Sequence, residues 1–495
     1  MRYVLCFVIA FGSYINLALA NDLDPATESG AADSMHPEVA GALAITDAWI
    51  EGLRAYRNIP GVSVGLVHDQ KVVFSQGYGH SNLRRKRAAD ADTIYSICSI
   101  SKLFTSIGVM QMRDADKLAL RDPVADHLDW MNIKQAHSEA GPARISGLLT
   151  HSSGLPRESD FSYWTLPDHP FPDQAALRAR LSEQDTLYPA DSLFQYSNLG
   201  MALAGELVAQ HAGQTYDAYI REAILDPLQM QDTRTTFPKE LHGKQMAIGY
   251  AGRERDWKRR PLKPFDTGAI APAAGFTSTV NDLAKFAMWH FRTLAGEQTV
   301  LAPNTLREML RVHWVDPDWE TTWGLGYVVD QADGQTIAGH GGGCPGYITS
   351  FIIIPKQKLA AIALTNAADG PAYNISQALL SKVGKAILKS TPKDGEVKEP
   401  PATDDLPDYS KYEGNYATGI WGGETAIRQW GKHLAAVEIP TDNLRKVAKL
   451  KHEEGDRFVR LTDDGEPRET WVFDMGEDGR ARAFTAHSSE SRRVE

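Results

Sequence analysis

Apolar residues recur at helical spacing through residues 39–57, and an Asn-Ile-Pro-Gly sequence at 58–61 then ends the predicted helix. Two β-rich runs follow at 62–67 and 72–78, with a polar turn at Asp69 between them. Short β-rich runs joined by a polar turn are typical of a hairpin. The beginning of the chain therefore predicts one helix followed by two antiparallel strands.

Helical periodicity returns at Ser99, continues to about Asp114, and is followed by a helix-rich stretch with long loops to about residue 210. Strand patterns reappear late in the chain, and one closing helix follows them. Strands at both ends with helices between them predict an α+β domain over 39–390, in which one antiparallel sheet faces a helical insertion across a cleft. The predicted late elements are strands 324–329, 336–340, 347–354 and 359–364 and helix 372–388.

The last hundred residues have a different pattern. Prolines recur without apolar periodicity in residues 391–408, which predicts a linker. Residues 409–495 contain short alternating runs, such as 457–461 and 470–473, separated by Asp-Gly and Gly-Glu-Asp-Gly turns. This pattern predicts a small all-β domain of the barrel type.

The N-terminus has the features of a secretory signal peptide. Arg2 precedes an apolar run at 3–19, and the Ala-Leu-Ala sequence that ends at Ala20 provides the small residues that a signal peptidase reads. We therefore expect residues 1–20 to be removed after Ala20. No later stretch reaches the roughly 18 to 20 apolar residues of a spanning helix, so the expected mature protein is exported, to a periplasm or outside the cell.

Composition narrows the choice of partners. The chain has 495 residues, 42% of them hydrophobic, and a formal net charge of -11 with acids and bases interspersed. The one basic run, at residues 84–87, is interpreted as a solvated loop, and nucleic acid is not an expected partner. No metal-binding spacing and no glycine-rich strand-to-helix loop occurs, so neither a metal nor another cofactor is expected.

The sequence Ser-Ile-Ser-Lys at 99–102 carries candidate chemistry. A serine nucleophile needs a base for its proton and donors for the oxyanion. If a helix begins at Ser99, Lys102 lies on the same face, and its ammonium lies beside the serine hydroxyl. The helix N-terminus and partial burial would both lower the lysine pKa, so that a neutral amine could act as the base.

Ser-x-x-Lys alone is a weak signal, since the pattern also occurs at residues 390–393, where the predicted linker begins. Its order relative to two further motifs makes it specific. A Tyr-Ser-Asn sequence begins at Tyr196, and a His-Gly-Gly sequence begins at His340 after a predicted strand. The ordered set of three motifs, rather than any one of them, indicates a serine hydrolase.

This set resembles the motifs of the serine β-lactamase and penicillin-binding protein superfamily, particularly its class C β-lactamase, D-aminopeptidase and esterase branch. The resemblance covers about residues 40–390 and implies the β-lactamase/transpeptidase-like fold. The first motif is matched by Ser99 and Lys102, the second by Tyr196 and Asn198, and the third by residues 340–342. A weaker resemblance, through the Tyr-Glu-Gly-Asn-Tyr sequence at 412–416, relates the last domain to a lipocalin-like β-domain.

The resemblance implies a role for each motif residue. Ser99 would attack a carbonyl, and the backbone N–H groups of Ser99 and Gly343 would hold the oxyanion. Tyr196 would pass protons to the leaving group, as hydroxyl or phenolate. Asn198 would bind Lys102 and the acyl chain of the substrate. His340, Gly342 and Gly343 would form the strand side of the substrate site.

His340 departs from the lysine that penicillin-cleaving members usually have at this position. Neutral histidine offers less charge to a substrate carboxylate. The sequence therefore favours an acyl-serine hydrolase of small esters, amides or D-amino-acid peptides. The alternatives are a β-lactamase or D-Ala-D-Ala carboxypeptidase proper, and a non-catalytic binder of cell-wall peptides. Selectivity is expected to depend on loops around Tyr163, Trp164, Trp314 and Trp323.

A subset of class A carbapenem-hydrolysing enzymes bridges a cysteine before the serine to one after the third motif. By this resemblance Cys98 and Cys344 form a disulfide, and the alternative is two buried thiols.

A Gly-x-Ser-x-Gly sequence at 61–65 fits the letters of an α/β-hydrolase nucleophile, but it continues into a strand where that fold requires a helix.

Overall fold

The computed structural model describes residues 35–317, 319–332, 334–391, 406–444 and 446–494. The predicted signal peptide, residues 1–20, lies outside the described residues. Of the predicted linker, residues 391–408, the part from 392 to 405 also lies outside the described residues. No helix in the described ranges is both long enough and apolar enough to cross a membrane.

The first elements lie where the hydrophobic pattern predicts them. Helix α1 spans Pro37–Tyr56, strand β1 spans Gly61–His68 and strand β2 spans Lys71–Asn82. Proline in the first helical turn supports the start of α1, because its missing N–H would have no helical partner there. Asn58 then adopts a left-handed φ of 52° and turns the chain into β1.

A helical layer follows the hairpin. Helices α2 and α5 pack against each other, and α7 packs against both of them, beneath the nucleophile turn. The bounds of the elements in this region are β3 Arg87–Ala88, β4 Tyr95–Ser96, α2 Ser101–Asp114, α3 Ile145–Thr150, α4 Gln174–Leu181, α5 Asn198–Ala212, α6 Tyr216–Ile220, α7 Ala271–Ala274, β5 Thr277–Ser278, α8 Val280–Ala295 and α9 Pro303–Met309.

The late strands complete the main sheet. Within the described residues its order is β3-β2-β1-β11-β10-β9-β8-β7-β6, and β1 pairs with β11, so both ends of the domain meet in one antiparallel sheet. The remaining bounds are β6 Trp314–Val315, β7 Thr322–Trp323, β8 Val328–Ala332, β9 Gln335–Cys344, β10 Tyr347–Ile354, β11 Leu359–Thr365, α10 Ala372–Ala378 and α11 Lys385–Ser390.

Two late elements differ from the predictions. The predicted strand 324–329 is wrong over most of its length, because Gly326 adopts a φ of 85° and Gly324 N bonds to Tyr327 O in a tight turn between β7 and β8. The predicted helix 372–388 is interrupted at Leu379–Gly384 by a π-helical turn that joins α10 to α11.

The C-terminal strands form a closed barrel. Each strand pairs with the next along the chain, and the last pairs with the first. Large aromatic side chains fill its interior, among them Tyr412, Tyr416, Phe458, Phe473 and Phe484. The strands are β12 Gly414–Ala417, β13 Glu424–Trp430, β14 His433–Ile439, β15 Ala448–His452, β16 Arg457–Leu461, β17 Pro467–Met475, β18 Ala481–Ala486 and β19 Ser489–Arg493.

Helix α1 joins the barrel to the sheet. Its apolar residues form one core with the sheet, with α10 and α11, and with the outer face of β13 and β14. Glycine is required where the barrel lies closest, since a Cβ on Gly41 would come within 2.5 Å of Trp430 Cα, and one on Gly52 within 2.6 Å of Ile439 Cγ2. The α+β prediction, an antiparallel sheet with helices followed by a barrel, is confirmed.

Candidate active site

Ser99 lies in a short 3-10 turn, Cys98–Ile100, and α2 begins after it at Ser101. The prediction that a helix begins at Ser99 is therefore correct only for this tighter turn. Cys98 adopts a left-handed φ of 51°, which sets the entry angle of the chain. The Ser101 hydroxyl donates to Cys98 O at 2.5 Å and accepts from Phe276 N at 3.0 Å, so the turn is fixed to the segment that follows α7.

Lys102 occupies the centre of the site and is fully buried. Its Nζ donates to Asn198 Oδ1 at 2.8 Å and to the carbonyl of Ala273 at 2.7 Å, and it lies 3.2 Å from Ser99 Oγ. A neutral amine has two N–H bonds and one lone pair. With both N–H bonds used by fixed oxygens, the lone pair is left to accept the proton of Ser99.

The surroundings of Lys102 favour this neutral form. Burial lowers the lysine pKa well below its usual value, and the nearby Arg157 lowers it further. The carboxylate of Glu158 opposes both effects. Because desolvation is the largest of these causes, the surroundings favour the neutral amine, which is the form that could act as a base.

Tyr196 and Asn198 reach the site from the start of α5. Ser197 caps this helix by accepting from Gly200 N at 2.8 Å, and its hydroxyl donates to Pro156 O at 2.6 Å. The ring of Tyr196 lies 4.7 Å from Lys102 Nζ, and its hydroxyl is within hydrogen-bonding reach of Ser99. Burial raises the pKa of Tyr196 above its usual value, so its hydroxyl keeps its proton at neutral pH.

Glu158 also belongs to the candidate site, although the sequence analysis did not predict it. Its carboxylate accepts from Asn198 Nδ2 at 2.8 Å and from Trp164 Nε1 at 3.1 Å, and the Tyr163 hydroxyl also donates to it. The bond to Asn198 fixes the orientation of that amide, with Oδ1 facing Lys102. The tyrosine ring is completely buried, so Tyr163 supports the site from behind rather than lining the cleft.

Arg157 is the second residue that the sequence analysis missed. Its guanidinium lies 5.0 Å from the centre of the Tyr196 ring and pairs with Glu158 at 3.3 Å, and 58% of its side chain is exposed. The carbonyl of Arg157 accepts from Asn198 N at 2.8 Å. In the sequence, Arg157 and Glu158 are marked only by their position directly after Pro156.

Strand β9 forms the opposite wall of the site. It pairs with β8 only as far as Gly339, so among the described residues 340–344 pair with β10 alone. A Cβ on Gly342 would lie 2.2 Å from both Ile97 O and Thr349 Oγ1, so only glycine permits β9 to approach the nucleophile turn this closely. Gly343 is exposed at this edge.

His340 is neutral in this environment. Burial lowers its pKa to about 3, and Lys102 contributes to the shift. Its Nδ1 donates to Gly341 O, while Nε2 is buried without a described partner. The ring lies 6.1 Å from that of Tyr196 and 5.6 Å from that of Trp323, so His340 contributes a neutral acceptor and no positive charge.

A disulfide joins Cys98 to Cys344, with 5.8 Å between their Cα atoms. It links the residue before the nucleophile to the end of β9, and so it ties together the two elements that would supply the oxyanion N–H groups. Within the described part of the chain, no group of three or more His, Cys, Asp or Glu side chains is placed to hold a metal ion.

Reduction of this disulfide is expected to lower both stability and activity. The bridge closes a loop over a sequence separation of 246, and loss of such a constraint costs about 3 kcal/mol, equivalent to about 4 °C in Tm for a domain of this size. Differential scanning fluorimetry of wild type with and without reductant, beside Cys98→Ser/Cys344→Ser, measures the change. An unchanged Tm in the double variant would contradict the prediction.

A family model described as beta-lactamase matches residues 46–383. The chain belongs to the beta-lactamase family. Among curated proteins, this family member is 26% identical to beta-lactamase-like protein 2 of Dictyostelium discoideum over 304 residues, which is 60% of this chain and 54% of that protein. It is 25% identical to penicillin-binding protein 4 of Amycolatopsis lactamdurans over 324 residues, 64% of this chain and 83% of that one.

The match therefore spans about half the length of the Dictyostelium relative. Among solved structures, the octameric penicillin-binding protein homologue from Pyrococcus abyssi aligns with a TM-score of 0.60 at 24% identity. The alignment covers 91% of this family member and 99% of that chain. This likeness shows that the fold, which here includes the C-terminal barrel, is shared.

Proposed function

We propose that the chain is a serine hydrolase that forms an acyl-Ser99 intermediate on a small ester, amide or D-amino-acid peptide and transfers the acyl group to water. The observation that carries the proposal is the buried Lys102 amine, which lies 3.2 Å from Ser99 Oγ with both of its N–H bonds directed at fixed oxygens. Burying a lysine amine lowers the stability of the folded protein, and an apolar side chain would fill this position without that cost.

The first step would begin with transfer of the Ser99 proton to Lys102 Nζ as Oγ bonds to the substrate carbonyl carbon. The carbonyl π electrons move to oxygen, and the N–H groups of Ser99 and Gly343 hold the resulting oxyanion. Collapse of this intermediate breaks the bond to the leaving group. Tyr196 protonates the leaving group and recovers a proton from Lys102, which restores the neutral amine. Water then hydrolyses the acyl-enzyme.

A β-lactamase or D-Ala-D-Ala carboxypeptidase is the second candidate. Its substrates carry a carboxylate, and neutral His340 offers no charge to bind it. The exposed guanidinium of Arg157, 5.0 Å from the Tyr196 ring, supports this candidate because it supplies a cation on the opposite wall. The non-catalytic binder has less support, because the proposed nucleophile, base and proton donor lie within reach of one another.

Export remains part of the proposal. Its support is the Arg2-led apolar run at 3–19 with the small residues that end at Ala20, together with the Cys98–Cys344 disulfide, which is typical of oxidising compartments. The relevant compartment would be a periplasm or the cell exterior.

One mass-spectrometric experiment tests these points. Wild type and Ser99→Ala, expressed with the full sequence, are exposed briefly to a fluorescent penicillin, and separately to a p-nitrophenyl ester while absorbance is followed. We expect ester turnover by wild type only, and an intact mass that begins at Asn21. A stable penicillin adduct on wild type alone would favour the second candidate. Turnover by Ser99→Ala equal to that of wild type would refute the role of Ser99, and a mass that begins at Met1 would refute cleavage.

A further inference from the structure

A cavity of about 760 Å³ lies beside the hairpin turn that joins β2 to β3. Its walls come from three separate stretches of chain, at 82–85, 242–250 and 261–263. Two arginines of the basic run at 84–87, which the sequence analysis interprets as a solvated loop, line this cavity. Residues that line a concave cavity are placed to contact a small ligand, which a merely solvated loop is not.

The cavity is positively charged in an acidic chain. Arg84, Arg85 and Lys263 line it, and the chain as a whole carries a net charge of -11. Neither arginine forms an ion pair with a described carboxylate. Lys263 pairs with Asp168 at 3.1 Å, but both of these side chains are mostly exposed. Cations grouped around a concavity, two of them without a described carboxylate partner, attract an anion against the general field of the protein.

The turn that carries the arginines is fixed in place. Asn82 is buried, its Oδ1 accepts from Arg85 N at 3.2 Å, and its Nδ2 donates to Gly243 O at 2.9 Å. Leu83 N donates to the Tyr250 hydroxyl at 2.9 Å. The backbone that presents both guanidinium groups is therefore held to the opposite wall, which reduces the entropy that a ligand would have to remove.

The rest of the lining is apolar or aromatic. Leu83, Ile248, Pro261 and Leu262 provide apolar surface, and the Tyr250 hydroxyl, which accepts from Leu83 N, keeps its own proton for donation. Burial lowers the pKa of His242, so this neighbour is neutral at pH 7 and the positive charge comes from Arg84, Arg85 and Lys263. An inorganic anion alone would leave this apolar surface uncovered.

We propose that this cavity is a binding site for an organic anion, in which a phosphate or carboxylate group contacts Arg84 and Arg85 and an apolar or aromatic body lies against Leu83 and Leu262. Arginine suits such a group because its planar fork donates two parallel hydrogen bonds to two oxygens. The site uses none of the residues around Ser99, so it is independent of the proposed hydrolysis.

Isothermal titration calorimetry with phenyl phosphate tests the site on the full chain. We use Ser99→Ala as well as wild type, so that binding at the nucleophile is recognised, and we expect equal affinity in both. Arg84→Gln/Arg85→Gln is expected to weaken binding at least tenfold, since two charge-assisted contacts are lost. Leu83→Asp tests the apolar side and is also expected to weaken binding. Added salt is expected to weaken binding of wild type.

The controls separate this site from general charge attraction. Arg468→Gln/Arg480→Gln makes the same change of net charge on the exposed barrel surface and is expected to leave the affinity unchanged. Benzyl alcohol, which lacks the charge, and inorganic phosphate, which lacks the apolar body, are both expected to bind at least tenfold more weakly than phenyl phosphate. Absence of phenyl phosphate binding, equal loss in the two double variants, or equal affinity for inorganic phosphate would each overturn the proposal.

Discussion

Lys102→Met is expected to lower kcat/KM for a p-nitrophenyl ester by about a thousandfold, because the variant lacks the amine that accepts the Ser99 proton. Methionine is similar in length and apolar, so it fits a fully buried position without a new buried charge. The substitution leaves Asn198 Oδ1 and Ala273 O without the donor they have in wild type. These two unpaired acceptors will lower the free energy of unfolding. The loss of kcat/KM has a separate cause, the missing amine, and is expected in the folded protein.

Steady-state kinetics and circular dichroism of the same preparations separate these two effects. Lys71→Met is the matched control, since Lys71 is exposed on β2 and its loss makes the same change of net charge. We expect the control to retain wild-type kcat/KM. A folded Lys102→Met protein with more than a tenth of wild-type kcat/KM would exclude Lys102 as the base, and Tyr196 would then be the candidate.

The predictable part of the site is the part that depends on local geometry. Ser99 and Lys102 are three residues apart on one helical turn, so their proximity follows from helix periodicity wherever the turn lies in the fold. Tyr196 and Asn198 are also close in sequence, since they flank the residue that caps α5, so both belong to one short segment. The two ends of the sheet were predictable because β-rich runs occur at both ends of the domain.

The rest of the site depends on contacts between distant residues. Glu158 is one of 63 acidic residues, and it reaches Asn198 because the segment after Pro156 packs across the start of α5. The Ala273 carbonyl has no side-chain identity that a sequence could show. The fit of Gly41 against Trp430 likewise depends on where the barrel lies, so it could not be predicted from helical periodicity.

Substitutions of Glu158 and Arg157 are expected to move the pH profile of kcat/KM in opposite directions. The carboxylate of Glu158 raises the Lys102 pKa, and the guanidinium of Arg157 lowers it. The reaction requires neutral Lys102, so activity falls on the acid side as this lysine becomes protonated. Glu158→Gln removes the negative charge, lowers the lysine pKa and should move the acid limb of kcat/KM to lower pH. Arg157→Gln removes the positive charge and should move it to higher pH.

Glutamine at 158 keeps an oxygen for Asn198 Nδ2, so charge can be separated from geometry. Glu158→Leu removes both, and it leaves the donors of Asn198, Tyr163 and Trp164 without the acceptor they share. Loss of the hydrogen bonds to this largely buried carboxylate should lower the unfolding free energy by about 3 kcal/mol and kcat/KM by about a hundredfold. Urea unfolding and kinetics on the three variants give both quantities.

Because their expected pH shifts are opposite, Glu158→Gln and Arg157→Gln together test whether Lys102 is the titrating base. Any general loss of packing would lower the plateau of kcat/KM in both variants without moving their acid limbs in opposite directions. Since kcat/KM reports ionisations of the free enzyme, the profiles are measured below KM, from pH 4 to pH 9. Limbs that move in the same direction, or that do not move, would mean that the group titrating in the profile is not Lys102. The proposed base would then have to be reassigned even if Ser99 is the nucleophile.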